Sequence, residues 1–187
     1  LKKPIILLGI GYILYWLFTS DVQGEKFEKY VAAYAPADQH VFLDIIGSAI
    51  AEADAAANDA AAATAFINAN GTLCGDQVFH GLAPHHNWVG LFEDADATDA
   101  GDKIYVELFV GFGNSVRAEV APNAWPAILT MKRNDPVMFS GKFKYGNMLE
   151  NQCIRTTWSA VFGSSPDLED RTFLFSLTDI KVVPTIE

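Results

Sequence analysis

Between Pro4 and Ser20 the chain reads PIILLGIGYILYWLFTS, without one charged side chain. About 17 such residues reach the lower limit for crossing a bilayer as a helix. No other feature constrains the fold as strongly, because a helix that is apolar on every face is stable only in lipid or at the centre of a large domain. The expectation is a membrane anchor over residues 1–23, carried by Ile5, Leu8, Tyr12, Tyr15 and Trp16, with the aromatic rings suited to the headgroup level. A cleavable signal peptide competes with this reading but needs small residues three and one positions before the cut. Cutting after Ser20 leaves Phe18 at the first of these, and cutting after Thr19 leaves Leu17.

Lys2 and Lys3 precede the run, whereas Asp21, Glu25 and Lys26 follow it. The bias of basic residues towards the cytoplasmic side therefore predicts a single-pass protein of a bacterial inner membrane, with its amino end cytoplasmic and its carboxyl domain periplasmic. The net charge of -10 over 187 residues argues against nucleic acid as a partner, since that affinity comes from Lys and Arg on phosphates. It also counts against anionic headgroups. Two cysteines, Cys74 and Cys153, suit an oxidising compartment. Paired as a disulfide they would close a loop of about 80 residues, worth roughly 4 kcal/mol in the chain-entropy model. Two separate buried thiols are the alternative.

Residues 24–73 form the second expected unit, a helical, Ala-rich stalk. Phe27, Tyr30, Val31 and Tyr34 make one helical stripe; Val41, Phe42, Ile45, Ile46 and Ala49 make another, and Pro36 separates them. The segment AIAEADAAANDAAAATAF has high helix propensity and little bulk, fit either for a semi-rigid rod or for an ordinary helix packed on its own domain. Asn68, Asn70 and Gly71 are its expected stop signals.

Residues 74–187 are expected to be a β domain, because the apolar period there shortens from 3.6 to 2. NWVGLF (residues 87–92) begins the first strand. In the second, Ile104, Val106, Leu108 and Val110 alternate with Tyr105, Glu107 and Phe109. Val116 to Val120 is the third strand, and a short helix follows in AWPAILTMKR with Asn123 as its cap. The fourth strand carries Val137, Phe139, Gly141, Phe143 and Tyr145 on one face, and the last runs through TFLFSLTDIKVV. The order is β-β-β-α-β-β, and the fold class is α+β.

This order, the DPVMFSGKF segment with its glycine, and the FLFSLTDIKVV run resemble the tRNA-anti-like OB-fold domains of uncharacterised bacterial proteins, over about residues 75–184. The resemblance implies a five-stranded Greek-key barrel. A different small barrel or a five-stranded sandwich is the alternative. Nucleic-acid-binding OB domains use a basic groove with aromatic platforms. Here the aromatics Trp88, Tyr105, Phe109 and Phe112 form a candidate ligand or partner face, with core packing as the competing role, while the basic groove is missing.

His80, His85 and His86 lie within seven residues, but Gly81 and Pro84 make their loop irregular for a zinc or copper site. EDADATDAGD is expected as a solvated hairpin loop. Read from Asp96 it places Gly101 and Glu107 as in a calcium loop, yet Ala100 occupies the fifth position. No cofactor is expected. FGSS lacks the second glycine of a nucleophile elbow, no C-x-x-C occurs, and GIG at residues 9–11 lies inside the apolar run. The chain thus reads as a non-enzymatic accessory subunit of a membrane protein complex, held by one helix in the bilayer, with an extracytoplasmic domain for protein-protein contact. A membrane-tethered module binding a small ligand, glycan or peptide is the alternative.

Overall fold

A computed structural model describes residues 22–75, 83–144 and 172–186. The expected anchor residues Ile5, Leu8, Tyr12, Tyr15 and Trp16 lie outside these, as do His80, Tyr145 and Cys153. No helix among the described residues is long and apolar enough to cross a membrane.

Three helices come first: α1 (22–34), α2 (Ala37–Asp54) and α3 (Asp59–Gly75). They are followed by β1 (His85–Ala97), β2 (Ile104–Gly111) and β3 (Asn114–Val120). A 3-10 turn (Pro122–Ala124) leads into the four-residue α4 (Trp125–Ile128), then β4 (Pro136–Phe143) and β5 (Thr172–Val182). The strands close a barrel in the order β1-β2-β3-β5-β4. β3 and β5 pair parallel, and every other neighbouring pair is antiparallel.

Alternation decides which side chains fill this barrel. Val106, Leu108, Val116, Ala118, Val137, Phe139, Phe173 and Phe175 are buried in one cluster. One end is plugged by α2, whose Phe42 and Ile46 are fully buried. The Phe42 ring lies 5.2 Å from Trp88, 6.0 Å from Phe143 and 5.7 Å from Phe173. The opposite end is closed by α4 through Ile128, with Trp125 Nε1 donating to the Val120 carbonyl at 3.0 Å. Each fully buried Phe or Ile contributes roughly 1.5 to 3 kcal/mol, so α2 belongs to the barrel's own core. For the Ala-rich segment this favours the helix packed on its own domain over the rod, and Leu73, at the expected boundary, lies in the same hydrophobic cluster.

On the outside, α1 covers what the barrel turns away from its centre. Phe27, Tyr30 and Val31 pack with Val89, Leu91, Phe109 and Val183 in a second cluster. Lys29 Nζ donates to the Ile186 carbonyl at 2.9 Å, and the Ile186 N–H donates to the Tyr30 hydroxyl at 3.2 Å, so the C-terminal strap clasps the same helix.

Several local expectations differ. The Ala-rich segment breaks at residues 55–58, where Asn58 Oδ1 accepts from the Ala61 N–H at 3.1 Å and caps α3. Helix α3 then continues past Asn70 and Gly71 to Gly75, because Ala69 and Leu73 are buried in the core and packing outweighs propensity. Asn123 is not a cap: the N-caps of the 3-10 turn and of α4 are Ala121 and Ala124, neither with a side-chain cap bond. The acidic stretch is also not all loop. Residues 93–97 continue β1, of which 94–97 pair with β2, leaving only residues 98–103 as the turn.

Candidate functional site

Two polar arrangements stand out against this apolar frame. The first lies at the α2 end of the barrel. Pro36 stops α1 and admits α2, placing Asp38 in the first turn of α2, where the helix dipole favours a carboxylate. His85 and Trp88 lie three residues apart, where β1 shifts register against β4, and both are buried. Asp38 Oδ2 receives both, at 2.8 Å from His85 Nδ1 and 2.8 Å from Trp88 Nε1. With the carboxylate ionised, Nδ1 carries the imidazole proton and donates.

Burial is the largest influence on each partner. It pushes the His85 imidazole below its ordinary value of 6.5, against the opposing hydrogen bond and charge of Asp38. Burial alone would raise Asp38, but the hydrogen bonds from His85 and Trp88 outweigh it, and the carboxyl sits below 3.8. The imidazole packs 4.8 Å from the Trp88 ring and 5.2 Å from Phe143. This geometry holds a neutral histidine and an ionised aspartate between α2 and β1. Its evident work is to tie the helix to the barrel.

The second arrangement lies on the outer face of β1, β2 and β3. A β-bulge between Phe92 and Asp94 turns out Glu93, whose carboxylate accepts from the Ser115 hydroxyl and, at 3.4 Å, from Gln23 Nε2 of α1. Glu107 on β2 accepts from Thr172 Oγ1 at 3.3 Å and lies 3.7 Å from Arg117 Nη1. Arg117 also reaches Asp96 at 3.0 Å, and its guanidinium sits 5.4 Å over the Tyr105 ring. Burial first, and then the charge of Glu93, push the Glu107 carboxyl above its ordinary range, although Thr172 and Arg117 pull the other way. Carboxylates crowded beside hydroxyls and a guanidinium, one of them held above its ordinary range, offer hydrogen-bond acceptors to a hydroxyl-rich or cationic ligand. Sequence reading overlooked this cluster. Its visible signal was Glu107 at an outward position of an otherwise apolar strand, which pairs with Arg117 across β2 and β3.

The four aromatics read as one face are dispersed. Trp88 is fully buried in the core, and Phe109 is buried beneath α1, 5.3 Å from Phe27. Tyr105 stacks with Arg117, while Phe112, at φ 52 in the β2–β3 turn, is half-exposed and rests on Gly47 of α2. Alternation along β1 separates the histidines, with His85 inside and His86 exposed. Among the described residues no group of three His, Cys, Asp or Glu is placed to hold a metal ion. Asp96 and Glu107, which a calcium loop would require, are engaged by Arg117 instead. Cys74 lies in the last turn of α3 and is not a free thiol. A groove of about 300 Å³ runs between α2 and α3, edged by Asp44, Ser48, Glu52 and Asn68.

No protein family matches this chain, and no curated protein or solved structure matches it either.

Proposed function

We propose that this chain is a non-enzymatic accessory subunit of a larger membrane complex, anchored by the apolar run and presenting an OB-fold barrel outside the cytoplasm for contact with other proteins. The strand order β1-β2-β3-β5-β4, the parallel β3/β5 pair and the helix between β3 and β4 support the OB assignment. The observation that carries the functional reading is the filled barrel. Phe139, Phe143 and Phe175 pack edge to face at 5.1 to 5.4 Å, and Phe42 plugs one mouth, so the interior is occupied by the protein's own side chains. Extraction in mild detergent, followed by affinity capture and mass spectrometry, tests it. A defined large assembly is expected, and recovery as a lone 20.4 kDa monomer would overturn the reading.

A membrane-tethered binding module is the second reading, favoured by the Glu93, Glu107, Ser115 and Arg117 cluster on the barrel surface. It predicts that some polyol, glycan or cationic peptide raises the melting temperature of the native chain and loses that effect in Glu107→Gln. A panel without any shift would count against it.

A further inference from the structure

We propose that the end of the barrel closed by α4 lies against the phospholipid bilayer, with Leu129 in the interface and Lys132 and Arg133 at headgroup phosphates. The inference rests on the reading of the apolar run as an anchor, and adds to it a second, peripheral contact that orients the barrel.

The position of α1 determines which end is near lipid. Thirteen residues long, about 20 Å, it runs along the barrel wall. Its carboxyl end leads through Pro36 to the α2 plug. Its amino end is fastened at the other extremity, where Lys26 Nζ donates to the Asn134 carbonyl at 2.8 Å and Gln23 reaches Glu93. Asn134 belongs to the turn between α4 and β4, joined to β1 through the Asn134 N–H and the Phe92 carbonyl at 2.6 Å. The apolar run stops at Ser20, and the two-residue step from there to residue 22 spans at most about 7 Å. The bilayer surface must therefore lie close to the α4 end.

The side chains exposed there suit an interface. Leu129, directly after α4, is 73% exposed, and Val22 at the start of α1 is 64% exposed. Lys132 and Arg133 follow within four residues, both exposed. An apolar tip flanked by long cationic side chains can insert the former and leave the latter at phosphate level. The far end has the opposite character: between residues 30 and 75 there are Asp38, Asp44, Glu52, Asp54 and Asp59, with no Lys or Arg. Asp99 and Asp102 occupy the β1–β2 turn at the near end, so the contact tilts towards α4. The net charge of -10 counts against anionic headgroups, but that charge is unevenly placed, and the α4 end carries the cations this contact uses.

The test uses the full chain reconstituted into vesicles of phosphatidylcholine and phosphatidylglycerol carrying a headgroup-linked quencher. A thiol-reactive fluorophore is placed at Leu129→Cys or, as a reference beyond the far end, at Ile67→Cys on α3, which is 59% exposed. Labelling of the unsubstituted chain sets the background. Quenching several-fold stronger at position 129 than at 67 is expected, reduced by Lys132→Glu with Arg133→Glu while the protein still floats with the vesicles. Flotation with equal quenching at both positions would overturn this orientation alone. Failure of the unsubstituted chain to float would overturn the anchor and the orientation together.

Discussion

The amide of Gln39 completes the β1 ladder at Val89: its Nε2 donates to the Val89 carbonyl and its Oε1 accepts from the Val89 N–H, each at 2.7 Å. β1 pairs with β2 only from Leu91 onward, so Val89 would otherwise leave both backbone groups buried beside α1 without a strand partner. A fully buried glutamine at the start of α2 takes the place of that missing strand. Gln39→Leu removes both bonds and leaves a buried donor and acceptor unsatisfied, at about 1 to 3 kcal/mol each. A loss of about 3 kcal/mol in denaturant unfolding is expected, and a change below about 0.5 kcal/mol would show that the pair is dispensable.

Phe42→Ala separates a helix docked in the core from a stalk. Deleting a fully buried phenylalanine typically costs about 3 to 5 kcal/mol. The barrel's near-ultraviolet circular dichroism and its unfolding midpoint should therefore both fall. An unchanged midpoint would mean that α2 contributes nothing to the barrel.

Gly141 stands at the register shift of β4 against β5, where a methyl group would run into the Ser176 carbonyl oxygen and the Phe175 ring. Backbone cannot yield as a flexible side chain can, so Gly141→Ala should cost about 3 kcal/mol or more, near the upper range for overpacking. Gly47→Ala is the instructive contrast, because its added carbon meets only the tip of the Phe112 ring, at 2.9 Å. That ring is half-exposed and free to move, and a cost under about 1 kcal/mol is expected.

Acid sensitivity should come in two steps. His85 has a depressed folded pKa, so below 6.5 the unfolded chain binds a proton that the native state refuses, and stability falls with pH until the folded value is passed. Asp38 has a depressed folded pKa as well. Its contribution is present above 3.8 and is lost as pH falls through the lower folded value. His85 and Asp38 should thus contribute nothing that varies above about pH 7, a decline below it and a further decline below about pH 4, while Glu107, with its raised folded pKa, adds stability as pH falls towards 4.5. His85→Gln should abolish the first decline and keep the second. A first decline that survives this substitution would place its origin elsewhere.

Cys74 and Cys153 are expected to form one disulfide across a loop of about 80 residues, lowering stability by roughly 4 kcal/mol when reduced. Intact mass after alkylation, with and without reductant, measures it directly. Two alkyl groups added under non-reducing, denaturing conditions would refute the pairing.

Alternation and punctuation are local properties, and what depends on them could be read from residues alone. The order β-β-β-α-β-β, the break at Pro36 and the inward set Ile104, Val106, Leu108 and Val110 all follow from neighbours along the chain. Contacts made across the fold could not be read in this way. Helices α2 and α3 are part of the barrel core because the open mouth needs a plug, and only closure of the strands creates that mouth. Asp38 meets His85 and Trp88 across 47 and 50 positions, and Glu93 meets Ser115 across 22, distances over which spacing carries no information. Phe109 and Trp88 stand on strands where a binding face could use them, yet both are buried because α1 and α2 cover them. Composition prescribed how much apolar surface must be hidden; only the tertiary arrangement decided which aromatic residues hide it and which end of the barrel keeps Leu129, Lys132 and Arg133 exposed.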